Sequence, residues 1–372
     1  MDRDETLEWH EARAERDVQR RSPRFGSRAV AMAARTAPGA VRFDLGGGPG
    51  WYGPFLGSPL VALDAAGAML RLVPGHAPGA LRVRADPAAL PFRGGAGGAA
   101  WAANSYVHVP RTALPMALWD LHRTLAVGAP IELVVFGGDT EDRWADDYPA
   151  AVADGTRHGP FSAWTEAELA DLAHGAGFHE LRITHDAPTL ALSGIRARTL
   201  ADTVAPGLRL LLVGLNPSLY AADAGFAFAR PGNRFWPALA AAGIHDGPRN
   251  PALLARRGGI GFTDLVKRAT RQAADLAPAE LAAGLARIDR QARWLQPGAV
   301  CFLGLSGWRA AVDRQATAGW QDRTVGGRPA YVMPNPSGLN AHATVASLAD
   351  HLRTAWAVSV PDASTAAPGA PG

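Results

Sequence analysis

One cysteine, one lysine and no long apolar run are the shortages of this 372-residue chain. Cys301 permits no disulfide and no cysteine-ligated metal or iron–sulfur site within one chain. It stands in Ala299-Val300-Cys301-Phe302-Leu303-Gly304, which reads as a buried strand, so packing is its expected role. Lys267, in Asp264-Leu265-Val266-Lys267-Arg268-Ala269-Thr270, is the one lysine amine available to a Schiff base and is expected at the surface. The apolar segments are interrupted and fall short of the roughly 20 residues that cross a bilayer. With a charged rather than hydrophobic N-terminus, the expectation is a soluble cytoplasmic protein with no membrane partner.

What is present suits an ordinary globular chain: 48% hydrophobic and 19% charged residues, with length for about two domains. The charge is unevenly divided. Up to Ile195 there are 18 Lys and Arg against 23 Asp and Glu, whereas Arg196 to Arg353 carries 19 against 10. Such an imbalance suits a polyanion partner for the second half or a solvated basic surface, and charge by itself does not choose between them.

The pattern along the chain is α/β. Residues 1–30 are charged and helical in rhythm, with Leu7, Trp9 and Val18 as apolar anchors, and are expected to form a cover or a frayed end. Strands are expected at Val41 to Asp44, Leu60 to Asp64, Leu81 to Val83, Ala99 to Ala102 and Ile131 to Phe136. Helical patterns at Leu114 to Leu125 and Glu166 to Ala176 fall between or after them, implying a parallel, Rossmann-like sheet with helices on both faces. A second start appears at Leu208 to Val213, after the turn-rich Asp202 to Pro206. Further strands are expected at Ala299 to Gly304 and Ala330 to Val332, and helices near Pro278 to Leu295, Trp308 to Arg314 and Thr344 to Ala355. The resulting division is 1–195, 196–356 and a disordered tail at 357–372 rich in Pro, Ala, Gly, Ser and Thr, in a chain expected to be monomeric.

Asp44-Leu45-Gly46-Gly47-Gly48-Pro49-Gly50 follows the first strand, where a backbone approaching a ligand closely would dispense with Cβ atoms. A dinucleotide fingerprint would read G-x-G-x-x-G; this run is D-x-G-x-G-x-G. It resembles the first motif of class I S-adenosylmethionine-dependent methyltransferases. The resemblance implies that Gly46, Gly48 and Gly50 wrap the methionine and ribose portion of S-adenosylmethionine, with Asp44 ordering the loop beside the amino group. Asp64, closing the next strand, suits the ribose hydroxyls or a helix N-cap. Asp86 matches the family's acid near the adenine amino group. The methyl acceptor is not legible. Asn104, Tyr106 and His108 lie where acceptor contacts fall in that family, His108 suiting either a general base or a structural imidazole. The paired prolines before an aromatic that mark DNA amino-methyltransferases are missing, and Cys301 follows Val300 rather than the proline of a cytosine C5-methyltransferase.

Three segments of the second half form a set: Gly214-Leu215-Asn216-Pro217-Ser218, Phe228-Ala229-Arg230-Pro231-Gly232-Asn233-Arg234-Phe235-Trp236, and Asn335-Pro336-Ser337-Gly338-Leu339. Together they resemble the mismatch-specific uracil/thymine DNA glycosylases, over about Thr199 to Trp356. The resemblance implies a uracil-DNA-glycosylase-like α/β/α sandwich around a parallel sheet. It also implies a substrate of duplex DNA bearing a mismatched pyrimidine, in the nucleoid, with no metal or cofactor. On that reading Asn216 positions the attacking water, although Asn216-Pro217 would also make an ordinary Asx-Pro turn. Leu215, Phe228, Asn233 and Asn335 line the base pocket, with Phe228 stacking on the flipped pyrimidine. Ser337 and Gly338 approach the DNA backbone, and Leu339 is the wedge or else a minor core leucine. Arg234 is open between a phosphate contact and a structural ion pair, and Lys267 becomes a phosphate or surface lysine, so the enzyme should be monofunctional. Asn335 stands where faster uracil glycosylases carry histidine, implying slow chemistry. Two departures, Ser218 for a glycine and Tyr220 for a small polar residue, suggest a narrowed pocket and uracil preferred over thymine. The alternatives are a methyltransferase whose second domain only binds DNA, and a glycosylase whose first domain only binds cofactor.

Overall fold

The computed structural model describes residues 7–8, 10–12, 14–15, 23–139 and 161–357. The chain divides between Ala197 and Arg198 into two compact units.

In the first unit, strands β1 (Arg42–Leu45), β2 (Leu60–Asp64), β3 (Leu81–Arg84), β4 (Ala99–Ala103) and β5 (Pro130–Gly137) run parallel in the order β3-β2-β1-β4-β5. The short β6 (Ala163–Trp164) pairs with β5. The sheet then continues through β8 (Thr189–Arg196), antiparallel to β5, and ends on β7 (Phe178–Asp186). The order reverses at β1, the switch point at which doubly wound sheets open a crevice for ligands at the carboxyl ends of their strands. Among the described strands of this otherwise parallel sheet, β8 runs against its neighbours. Helices α1 (Gly26–Arg35), α2 (Gly53–Leu56), α3 (Gly67–His76), α4 (Leu114–Thr124) and α5 (Glu166–Gly175) accompany the sheet. α5 starts on a capping box, Thr165 accepting from the Glu168 N–H while Glu168 accepts from the Thr165 N–H.

Of the proposed N-terminal cover, Leu7, Glu8, His10, Glu11, Ala12, Ala14 and Glu15 are helical; Trp9 and Val18 lie outside the described residues. Glu11 accepts from the Gly67 and Ala68 N–H groups at 2.6 and 2.8 Å, capping α3 with a carboxylate. Those two bonds hold the Glu11 carboxyl below its usual range against a small desolvation.

The second unit is built on the order β10-β9-β11-β13-β12. β9 (Leu210–Gly214), β10 (Ile260–Asp264), β11 (Ala299–Leu303) and β13 (Arg328–Met333) are parallel, and β12 (Gly319–Val325) is an antiparallel edge. Helices α6 (Leu219–Ala224), α7 (Phe235–Ala241), α8 (Pro278–Leu295), α9 (Leu305–Ala311) and α10 (Val345–Trp356) accompany it, and Ala357 is the C-cap of α10. The expected tail from Val358 onward lies outside the described residues.

Side chains of successive strand residues point to opposite faces, which explains two separate cores. Leu211, Val213, Val300, Phe302 and Val332 face α8 and α9, where Leu285, Ile288, Leu295 and Trp308 meet them. Leu210, Leu212, Cys301, Leu303 and Met333 face α7 and α10 through Phe235, Trp236, Leu348 and Leu352. A strand covered on both faces reads as an uninterrupted apolar run, and each such leucine stabilises the fold by roughly 1.5–3 kcal/mol. Cys301 is fully buried, and desolvation pushes its thiol far up, in keeping with packing rather than chemistry. Among the described residues no helix is long and apolar enough to cross a membrane.

Candidate functional site

Parallel neighbours finish level in the second unit. Gly214 is in register with Asp264, Val213 with Phe302, and Leu303 with Met333. Asp264, Asn216, Gly304 and Asn335 therefore leave the sheet along one edge, and β9 and β13, two strand spacings apart, end about 10 Å from each other. The two Asn-Pro corners, 119 positions apart in number, are brought to the same rim by this register.

Asn216 is held by the segment that follows β10. Its Nδ2 donates to the Arg268 carbonyl at 3.0 Å and to Thr270 Oγ1 at 2.8 Å. Thr270 spends its own proton on the Gln272 carbonyl at 2.8 Å, so toward Asn216 it can only accept. With the Pro217 carbonyl at 3.3 Å, three acceptors on that side fix the amide's orientation and leave Oδ1 as its working atom. Leu215 turns its side chain into the α8 and α9 core, while its carbonyl accepts from the Val266 N–H at 2.9 Å. Ser218 caps α6 by accepting from the Ala221 N–H at 3.2 Å, a local reason for serine there. Tyr220 is half exposed on that helix.

The second and third motifs lock together. Phe228 has φ of +58°, a left-handed conformation that bulky residues rarely adopt, and its ring lies 4.3 Å from that of Phe235 at 31°. Asn233 accepts from the Phe235 N–H at 2.9 Å, a tight turn at the entry to α7. Arg234 forms no ion pair among the described residues. Its guanidinium donates to the carbonyls of Asn340 at 2.8 Å, Ala343 at 2.7 Å and Gly338 at 3.4 Å, and its N–H to the Pro336 carbonyl at 2.9 Å. A Cβ on Gly338 would meet the Gly232 carbonyl oxygen at 2.6 Å, so the glycine is required by its packing on Gly232. Asn335 Oδ1 accepts from the Ser337 N–H, and Ser337 Oγ from the Leu339 N–H, winding the loop into successive tight turns. A Cβ on Gly304 would touch the Asn335 side chain at 3.4 Å. Leu339 is 85% exposed, which removes the core reading.

Lys267 corrects the surface expectation. It is buried, donating to Asp202 Oδ1 at 2.7 Å, and Asp202 also accepts from Thr263 at 2.8 Å and from Arg287 and Gln291, both at 2.9 Å. Burial alone would raise the Asp202 carboxyl; Lys267 and Arg287 outweigh it and bring it to about 2. The same group leaves Asp264 underserved: its nearest cation, Lys267, stands 3.9 Å away. Burial, offset by Lys267 and reinforced by Asp202, pushes Asp264 up to about 6. Sequence reasoning passed over Thr270, Asp202 and Asp264. The available signal was a polar residue ending a β-run, Gly261-Phe262-Thr263-Asp264.

In the first unit the glycine loop sits at the end of β1. Gly46 has φ of +64°, and a Cβ there would meet Ser105 Cβ at 2.3 Å, so no other residue fits. Asp44 is 1% exposed and its Oδ2 has no partner among the described residues. Burial, then the charge of Asp64, pushes its carboxyl up to about 7. Asp64 accepts from the Gly48 N–H at 2.9 Å and the Ala66 N–H at 2.8 Å, bracing the loop and the entry to α3 with one bond per oxygen. Gly50 closes the loop by donating to the Gly47 carbonyl at 3.0 Å. Asp86 accepts from the Ala88 N–H at 2.8 Å in its own turn. Tyr106 is buried with its hydroxyl 3.3 Å from the Pro87 carbonyl, Asn104 has φ of +57°, and His108 lies between the rings of His10 and Phe161.

Residues 201–358 match the family model of the uracil DNA glycosylase superfamily. The N-terminal region is similar to an S-adenosylmethionine-dependent methyltransferase from Mesorhizobium loti (17% identity, 45% of this chain and 96% of that one, TM-score 0.36). It is also similar to the DhpI complex with S-adenosylhomocysteine (17% identity, 52% and 96%, TM-score 0.41). A third is the 1,6-didemethyltoxoflavin-N1-methyltransferase of Burkholderia thailandensis with bound 1,6-didemethyltoxoflavin and S-adenosylhomocysteine (19% identity, 49% and 82%, TM-score 0.37).

Proposed function

With residues 201–358 a uracil DNA glycosylase superfamily domain, we propose that the protein excises uracil, and thymine less well, from G·U and G·T mismatches in duplex DNA. The observation that carries this reading is the strand-end row in which an orientation-locked Asn216 shares a rim with the Asn335 turn and the exposed Leu339. Leu339 enters the stack where the nucleotide leaves, the Phe228 ring receives the flipped pyrimidine, and Asn216 Oδ1 accepts a hydrogen bond from the attacking water. An amide orients but does not deprotonate, so a good leaving group such as the uracil anion is favoured. Thymine adds a C5 methyl that the pocket must accommodate. The buried Lys267, already committed to Asp202, supports hydrolysis without a lyase step.

For the first unit we propose S-adenosylmethionine binding. The residues fit: an unpartnered, buried Asp44 suits a cationic amino group, and each Asp64 oxygen has accepted one bond and can take another from a ribose hydroxyl. Bound there, the cofactor would supply an electrophilic methyl group on sulfur. Asp44 and the loop N–H groups orient it.

The test is strand nicking after alkali on a G·U duplex with wild type and Asn216→Ala side by side. Loss of nicking in the variant supports the assignment. A wild type that binds the duplex without nicking would reduce the second unit to a DNA-binding module.

A further inference from the structure

Asn216 can hold water but cannot take its proton, and the same rim carries a group that can. Asp264 ends β10 in register with Gly214, the residue two before Asn216. A Cβ on Gly214 would lie 2.4 Å from Asp264 Oδ1, so the carboxylate leans over the β9 end and the glycine makes room for it. Its side chain is 15% exposed, open at the rim yet largely out of water. Its carboxylate accepts no hydrogen bond from any described residue, and Lys267 at 3.9 Å is beyond hydrogen-bonding reach. A carboxylate so enclosed ordinarily collects donors, as Asp202 does with four in the same cluster.

We propose that Asp264 is the general base of the excision reaction, a catalytic residue additional to Asn216; this rests on the glycosylase reading. Water held by Asn216 Oδ1 attacks C1′ as the C1′–N1 bond breaks. The bonding pair leaves with N1 as the uracil anion, the new C1′–O bond completes the abasic sugar, and the water's proton passes to an Asp264 oxygen. That proton then goes to solvent or to the departed base, restoring the carboxylate. The charged groups around Asp264 are Lys267 on its own segment, Asp202 on the chain before β9 and Arg287 on α8. With Asp264 ionised these four groups sum to zero charge. Burial lifts the carboxyl to about 6, where a base is still ionised at neutral pH and strong enough to act.

Single-turnover release of uracil from a G·U duplex, followed from pH 5 to 8, tests this with wild type, Asp264→Asn and Asn216→Ala. Affinity for a duplex carrying a non-hydrolysable 2′-fluoro uridine analogue is measured alongside. The wild-type rate should climb about tenfold per pH unit below 6 and level off above it, and Asp264→Asn should be about 100-fold slower and flat while binding the analogue normally. An Asp264→Asn rate and pH profile matching wild type, with Asn216→Ala inactive, overturns the role of Asp264 and leaves the glycosylase assignment standing. Wild type inert on every uracil duplex removes both. Should the asparagine variant melt early, the wild-type profile decides, since a rate independent of pH between 5 and 7 overturns the proposal.

Discussion

Asp44 offers the sharpest handle on the first unit. Its carboxyl is carried from 3.8 to about 7 by burial and by Asp64, and with about 1.4 kcal/mol per pH unit the ionised form costs the unliganded fold about 4 kcal/mol. Below pH 3.8 the group is protonated whether the chain is folded or not. As pH rises from there to about 7 the unfolded chain gives up its proton first, so unliganded stability falls across that window. A ligand ammonium beside Asp44 reverses the preference by stabilising the carboxylate. Below about 7 binding must then expel a proton, and the dissociation constant for S-adenosylmethionine should be about 25-fold weaker at pH 5.5 than at pH 7.5. Titration calorimetry in two buffers of different ionisation enthalpy reads both the affinity and the expelled proton. Asp44→Asn should bind weakly at every pH, release no proton, and lose the fall in stability. If the asparagine variant binds as tightly as wild type at pH 7.5, or wild-type affinity does not move with pH, the argument from this carboxylate is wrong.

Other substitutions discriminate between roles in the second unit. Leu339→Ala removes an exposed side chain, so stability should change by less than about 0.5 kcal/mol while uracil release slows at least about tenfold; unaltered release would deny it the wedge role. Arg234→Ala frees three carbonyls of the Gly338 to Ala343 loop, costing about 1.5–3 kcal/mol and speeding amide exchange there; unchanged exchange would show that the loop is held otherwise. Lys267→Ala removes one of the two cations on Asp202 while Arg287 remains, and should destabilise the protein by about 1.5–3 kcal/mol, and borohydride should trap no wild-type adduct on DNA. A covalent adduct lost in that variant would restore a lyase role to the lysine.

The elements legible in the chain were those enclosed on both faces. β2, β9 and β11 announce themselves as unbroken apolar runs, and α8 as a helix opened by Pro278. β7 and β12 did not. Each is an edge strand that buries few of its residues, and their charged side chains hide the alternation. β10, as long as β9, was masked by Gly261 and Thr263, which interrupt its apolar run. The two Asn-Pro corners could be located because turn chemistry is local. Thr270 and Asp264 could not, because what matters about them is lateral: they meet the Asn216 segment only through the pairing of β9 with β10. Lys267 misled for the same reason, its partner Asp202 lying 65 positions earlier in a stretch that reads as a plain turn.

The Arg234 anchorage bears on the DNA as much as on the protein. Arg234 opens α7, whose next two residues, Phe235 and Trp236, are sunk in the core, so the tip carrying Leu339 is bolted to a helix rooted in that core. A rigid probe pressed into a duplex leaves the nucleic acid to supply the bending, and pyrimidine–purine steps bend most cheaply. Excision should therefore run faster where the uracil precedes a purine than inside an A-tract, and equal rates in both settings would mean that the tip gives way instead.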